Sequence, residues 1–86
     1  MTSTNKQKVY EIIFQKIQHE IAAGHLKVGD KLPPERELAT LYSVSRTSIR
    51  EALRLLEVSD VVEVRQGDGT FIKNKSLHQV QDQLSN

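Results

Sequence analysis

Leu32-Pro33-Pro34-Glu35-Arg36-Glu37-Leu38-Ala39-Thr40-Leu41-Tyr42-Ser43-Val44-Ser45-Arg46-Thr47-Ser48-Ile49-Arg50-Glu51-Ala52-Leu53 is the stretch that decides the fold. Pro34 suits the first position of a helix, where its missing N–H costs nothing. Glu35 and Glu37 then fall in the first turn, where negative charge meets the positive end of the helix dipole. This helix runs to about Tyr42, with Leu38, Ala39, Leu41 and Tyr42 available for packing. Ser43-Val44 breaks it, and Ser45 is a good N-cap for a second helix from Arg46 to about Val58. There Ile49, Ala52, Leu53 and Leu56 share one face, while Thr47, Arg50 and Arg54 project from the other. Two short helices joined by a three-residue turn form a helix-turn-helix.

Upstream, Val9, Ile12, Ile13, Ile17 and Ile21 recur at helical spacing, which predicts an amphipathic helix over Gln7 to Ala23. Gly24 is a natural stop, because glycine takes the left-handed conformation that ends helices. Residues 25–33 read as a turn-rich connection, with a turn at Gly29-Asp30 and a short extended piece at Lys31-Leu32. Downstream the period changes. Val61 to Gln66 is β-branched and partly alternating, Gly67-Asp68-Gly69 is a hairpin-turn signal, and Thr70 to Lys73 returns. The expected fold class is therefore α+β, mainly α: a winged helix-turn-helix of three helices and a C-terminal β-hairpin wing. Residues 7–73 would form this domain and 1–6 a flexible leader. Residues 74–86 are polar and glutamine-rich, with a weak helical stripe of Leu77, Val80 and Leu84 after a Ser76 cap.

A chain of 86 residues can build one small core and no more. Hydrophobic residues make up 37%, enough for a packed domain rather than disorder. The absence of cysteine excludes a disulfide framework, thiol catalysis and cysteine zinc sites, and is compatible with a reducing cytoplasm, the expected location. No apolar run has the length of a membrane span, and the polar start Met1 to Lys6 has no signal-peptide core, so no membrane partner is expected. The net charge of +1 is weak evidence for nucleic-acid binding, so the placement of the charges must decide.

That placement is suggestive. In a helix-turn-helix the first helix braces the second, which lies in the major groove with its N-terminal residues at base edges. Arg46, Thr47 and Arg50 cluster at that end. Arginine can meet guanine through two hydrogen bonds, and threonine can meet a thymine methyl or a phosphate. Ser45 caps a helix start that favours an anion, and Ser48 can contact a phosphate. Arg54 projects from the same side and could instead pair with Glu51, Glu57 or Glu63. At the wing, the tip Gln66-Gly67-Asp68-Gly69 has little bulk and can approach a sugar-phosphate wall or the minor groove, with Arg65 supplying charge.

Three motifs in order make a specific match: Leu32 to Ala39, Val44 to Leu53, and Arg65-Gln66-Gly67-Asp68-Gly69-Thr70-Phe71-Ile72. Together they resemble the GntR family of bacterial regulators, over about Val9 to Lys73. The run Arg50-Glu51-Ala52-Leu53-Arg54 looks more like the FadR-type branch. The resemblance implies a sequence-specific regulator of transcription, a repressor by preference, bound as a homodimer to palindromic double-stranded DNA. It also implies DNA contacts from Arg36, Arg46 and Arg50 with help from Thr47, and a minor-groove contact at Gly67. Arg36 is singled out by the resemblance and not by periodicity. A small-molecule effector would bind a C-terminal domain that this sequence lacks, with residues 74–86 as the start of a linker toward it. Where the family usually has glycine this chain has Ser43 and Asp60, and both positions should want a positive φ.

Other chemistries find little support. Gly67-Asp68-Gly69 is too short for a nucleotide fingerprint and lies between strands. His19, His25 and His78 lack ligand spacing, so no metal or other cofactor is expected. No nucleophile turn or catalytic constellation is visible, so an enzyme is not expected. The competing reading is a winged-helix protein-interaction module, which would need an apolar outward stripe on the third helix where Arg, Thr and Arg stand instead.

Overall fold

A computed structural model describes residues 8–74. Helices α1 (Val9–Ala22), α2 (Glu35–Tyr42) and α3 (Arg46–Val58) are followed by strands β1 (Val62–Arg65) and β2 (Gly69–Ile72). The strands pair antiparallel, Val62 opposite Ile72 and Arg65 opposite Gly69. This is the winged helix-turn-helix expected. The leader at 1–6 and the stripe of Leu77, Val80 and Leu84 lie outside the described residues.

The core is one cluster. Ile13, Ile17 and Ile21 come from α1, Leu38 and Ala39 from α2, and Ile49, Ala52 and Leu56 from α3. Leu32, Val61, Val62 and Ile72 close it from the loop and the sheet. The small side chains of Ala39 and Ala52 let the helices cross closely, as packing at interior density requires. Periodicity over-assigned the apolar residues. Val9 and Ile12 lie to one side of the buried stripe of α1, and Leu41 is 67% exposed. Tyr42 and Leu53 pack only partly against the core.

All three helices end the same way. A residue of positive φ follows each, Gly24 at 85°, Ser43 at 57° and Asp60 at 67°. In each case the next N–H reaches back five residues: His25 to the Glu20 carbonyl at 2.9 Å, Val44 to Ala39 at 3.0 Å, and Val61 to Leu56 at 2.9 Å. These are Schellman caps, which satisfy carbonyls the helix end would otherwise orphan. The expectation of positive φ at Ser43 and Asp60 holds. The cap also explains a strand boundary. Val61 spends its N–H on α3, so β1 starts one residue later than its β-branched sequence suggests.

Two further boundaries differ. Pro34 is the N-cap of α2 rather than its first residue, with extended backbone at ψ 159°. Gly69 is the first residue of β2 rather than part of the turn. The short extended piece expected at Lys31-Leu32 is present, and the structure adds that it runs beside β2: Lys31 bridges to Phe71, and Leu32 N–H donates to the Thr70 carbonyl at 2.8 Å. No helix among the described residues is long and apolar enough to cross a membrane.

Candidate nucleic-acid interface

Ser45 opens α3 as expected. Its Oγ accepts from the Ser48 backbone N–H at 3.1 Å and donates to Ser48 Oγ at 3.0 Å. Ser48 is thereby tied into the cap and half-buried, with its own hydroxyl proton still available to an outside acceptor. The first N–H groups, on Arg46 and Thr47, have no intrahelical partner, and the dipole adds positive potential there.

The two arginines behind this start are not the free, outward-pointing cations that the helix period suggests. Both turn toward Glu35, the first residue of α2. Arg50 grips that carboxylate with both arms of its fork, Nε to Oε2 at 3.1 Å and Nη2 to Oε1 at 3.0 Å. Arg46 Nε stands 3.9 Å from Oε1. The hydrogen bond from Arg50 holds the Glu35 carboxyl below its usual range, aided by the positive charges of Arg50 and Arg46 and opposed by desolvation. The same hydrogen bond raises the Arg50 pKa. Both side chains remain more than half exposed, 61% for Arg46 and 57% for Arg50. A guanidinium carries five N–H donors, and Arg50 uses two of them on Glu35. The plane of the fork is fixed and three donors stay open. The sequence reading had Glu35 only as a helix-start charge. Nothing local links positions 35 and 50; only the crossing of α2 over α3 does.

Thr47 and Arg36 are exposed. Arg36 is the second residue of α2, beside Glu35, and has no acid within ion-pair distance among the described residues. Arg54 makes none of its possible pairs with Glu51, Glu57 or Glu63. It lines a groove with Lys8, Val9, Tyr10, Ser48, Glu51, Leu55 and Val58, which runs along α3 beside the start of α1.

At the wing, Asp68 N–H donates to the Arg65 carbonyl at 2.9 Å, closing a turn with Gly67 at φ 85° in its third position. That is the φ a type II turn demands there. Gln66 and Gly67 are exposed at this tip. Arg65 lies over the Phe71 ring at 4.3 Å, and its Nε is 3.4 Å from Glu63 Oε2. A groove runs between the wing tip, Gly67 to Thr70, and the Lys31 to Glu35 segment. Glu35 therefore borders the wing on one side and holds the α3 arginines on the other. The structure thus brings Ser45, Arg46, Thr47, Ser48 and Arg50 together at one helix start, while Arg36 follows Glu35 on α2. It places Gly67 and Gly69 across the groove from Glu35, with Arg65 and Gln66 next to them in the same hairpin.

Among known proteins, the profile of the family described as "Bacterial regulatory proteins, gntR family" matches residues 9–72. The Uxu operon regulator of Haemophilus influenzae is 41% identical over 73 residues, 83% of this chain and 27% of that protein. The mannosyl-D-glycerate transport/metabolism system repressor MngR of Escherichia coli is 41% identical over 70 residues, 81% of this chain and 29% of that one. The chain thus spans under a third of the length of these curated relatives. Among solved structures, AraR(DBD) in complex with operator ORE1 superposes with a TM-score of 0.77 at 30% identity, covering 84% of this chain and 88% of that one.

Proposed function

The chain belongs to the gntR family of bacterial regulatory proteins, and from that premise we propose that it is the operator-reading domain of a transcription regulator working in the bacterial cytoplasm. The observation that carries the proposal is the cluster at the start of α3. Two guanidinium groups, oriented by one carboxylate, stand at a capped helix start across a groove from a narrow hairpin tip.

In this reading residues 46–58 lie in the major groove, with Arg46 and Arg50 at base edges and Thr47 beside them. Arg36, Ser45 and Ser48 contact phosphates, where free N–H groups and the dipole draw an anion. The tip at residues 66–69 approaches the minor groove, Gly67 admitting the backbone wall, with Arg65, Gln66 and Gly69 beside it. Two copies read a palindrome, because a two-fold operator mirrors a two-fold protein. Repression is the favoured sign of control, as in the name of the Escherichia coli relative. The run Arg50 to Arg54 favours the FadR-like branch. Control by a small molecule would come through a C-terminal domain. The exposed start of α3 carries Arg, Thr and Arg, which weighs against a protein-docking module.

Selection of bound duplexes from a random pool tests the proposal. It should enrich a discrete sequence, with log affinity falling by about 0.9 per phosphate contact for each unit of log salt. Failure to enrich any sequence, together with salt-independent retention, would contradict it.

A further inference from the structure

Three cations stand on or beside the sheet: Lys31, Arg65 and Lys73. Two are held by acids of their own. Lys73 Nζ is 2.7 Å from Asp60 Oδ1, and Arg65 Nε is 3.4 Å from Glu63 Oε2. Lys31 has no acid within ion-pair distance among the described residues, and its neighbour Asp30 already accepts the Lys27 N–H at 2.9 Å.

Pairing register fixes where Lys31 lies. It bridges to Phe71, Phe71 is two residues from Gly69 on β2, and Gly69 is opposite Arg65. In a pleated sheet these positions share one face. The Lys31 side chain runs along that face and crosses Gly69. A Cβ at position 69 would stand 2.7 Å from Lys31 Cε and 3.6 Å from Nζ. Glycine at 69 therefore does more than adopt its φ of 124°. It leaves the space in which the Lys31 side chain lies, with Arg65 on the opposite side of the same step.

We propose that Lys31 is a phosphate-contacting residue, which together with Arg65 grips the DNA backbone on either side of Gly69. The chemistry suits a phosphate diester: two cations flank a residue without a side chain, and one of them has no internal anion to give up. The inference rests on the DNA-binding reading and extends the interface beyond the recognition helix and the hairpin to the segment that precedes α2.

The experiment uses the 86-residue chain and a random-sequence DNA duplex pool, with affinity measured across a salt series. Lys31→Gln should weaken binding to all sequences alike and make the log–log salt slope shallower by about 0.9, as the loss of one phosphate contact does. Lys31→Arg should restore the slope. Lys16→Gln, an exposed site on α1, removes the same charge and should leave the slope unchanged. An unchanged slope in Lys31→Gln, or an equal change in Lys16→Gln, would overturn the proposal while wild-type binding kept the DNA-binding reading intact. Absence of salt-dependent binding by the wild type would remove that reading first.

Discussion

Glu35 ties Arg46 and Arg50 together at the residue scale, and the ion pair implies a pH dependence. Its carboxyl titrates below the ordinary value of 4.5 in the folded chain. A depressed carboxyl pKa contributes stability above the unfolded pKa, and loses it as pH falls through the folded one. Thermal unfolding of the wild type and Glu35→Gln should therefore differ at neutral pH and converge in acid. A difference that grew in acid would contradict the ion-pair account. The Ser45 cap and the place of Arg46 and Arg50 at the start of α3 were legible in the sequence because they rest on local spacing, whereas the turn of both arginines toward Glu35 was not. That turn and Lys31 beside the glycine both need chain crossings that no local pattern encodes.

Helix ends set the geometry at the scale of elements. The sequence located all three helices and the hairpin because the apolar period shifts sharply after Val58 and turn residues stand between segments. It misplaced Val61 because a β-branched residue looks like a strand whichever partner takes its N–H. It over-counted Leu41 because an eight-residue helix buries only a narrow face. Ser43 and Asp60 share the left-handed conformation, yet they should respond differently to glycine. Ser43 has only the backbone cap to keep. Ser43→Gly should relieve about 1 kcal/mol of strain and raise Tm by roughly 4–8 °C. Asp60 also accepts from Lys73 at 2.7 Å and from Asn74 at 3.1 Å, tying the end of α3 to the strand leaving the wing. Asp60→Gly should stabilise distinctly less, read by the same thermal melts. Equal gains at both sites would show that the side-chain clasp contributes nothing.

Across the whole molecule, the modest net charge of +1 is compatible with DNA binding because the cations are distributed by role. Arg46 and Arg50 are oriented at the start of α3, Arg65 and Lys31 flank the wing, and Lys73 is occupied in holding the fold together. The opposite end of α3 is different in kind, with Val58 77% exposed beside Leu55 and Val9. The proposed function puts recognition at one end of one helix and at the hairpin. The most direct test compares the wild type with Arg46→Ala/Arg50→Ala for binding to a selected operator and to scrambled duplex. In the double variant the preference for the operator should collapse, while the melting temperature stays close to that of Glu35→Gln, which loses the same ion pair. Undiminished preference would mean that the bases are read by other residues.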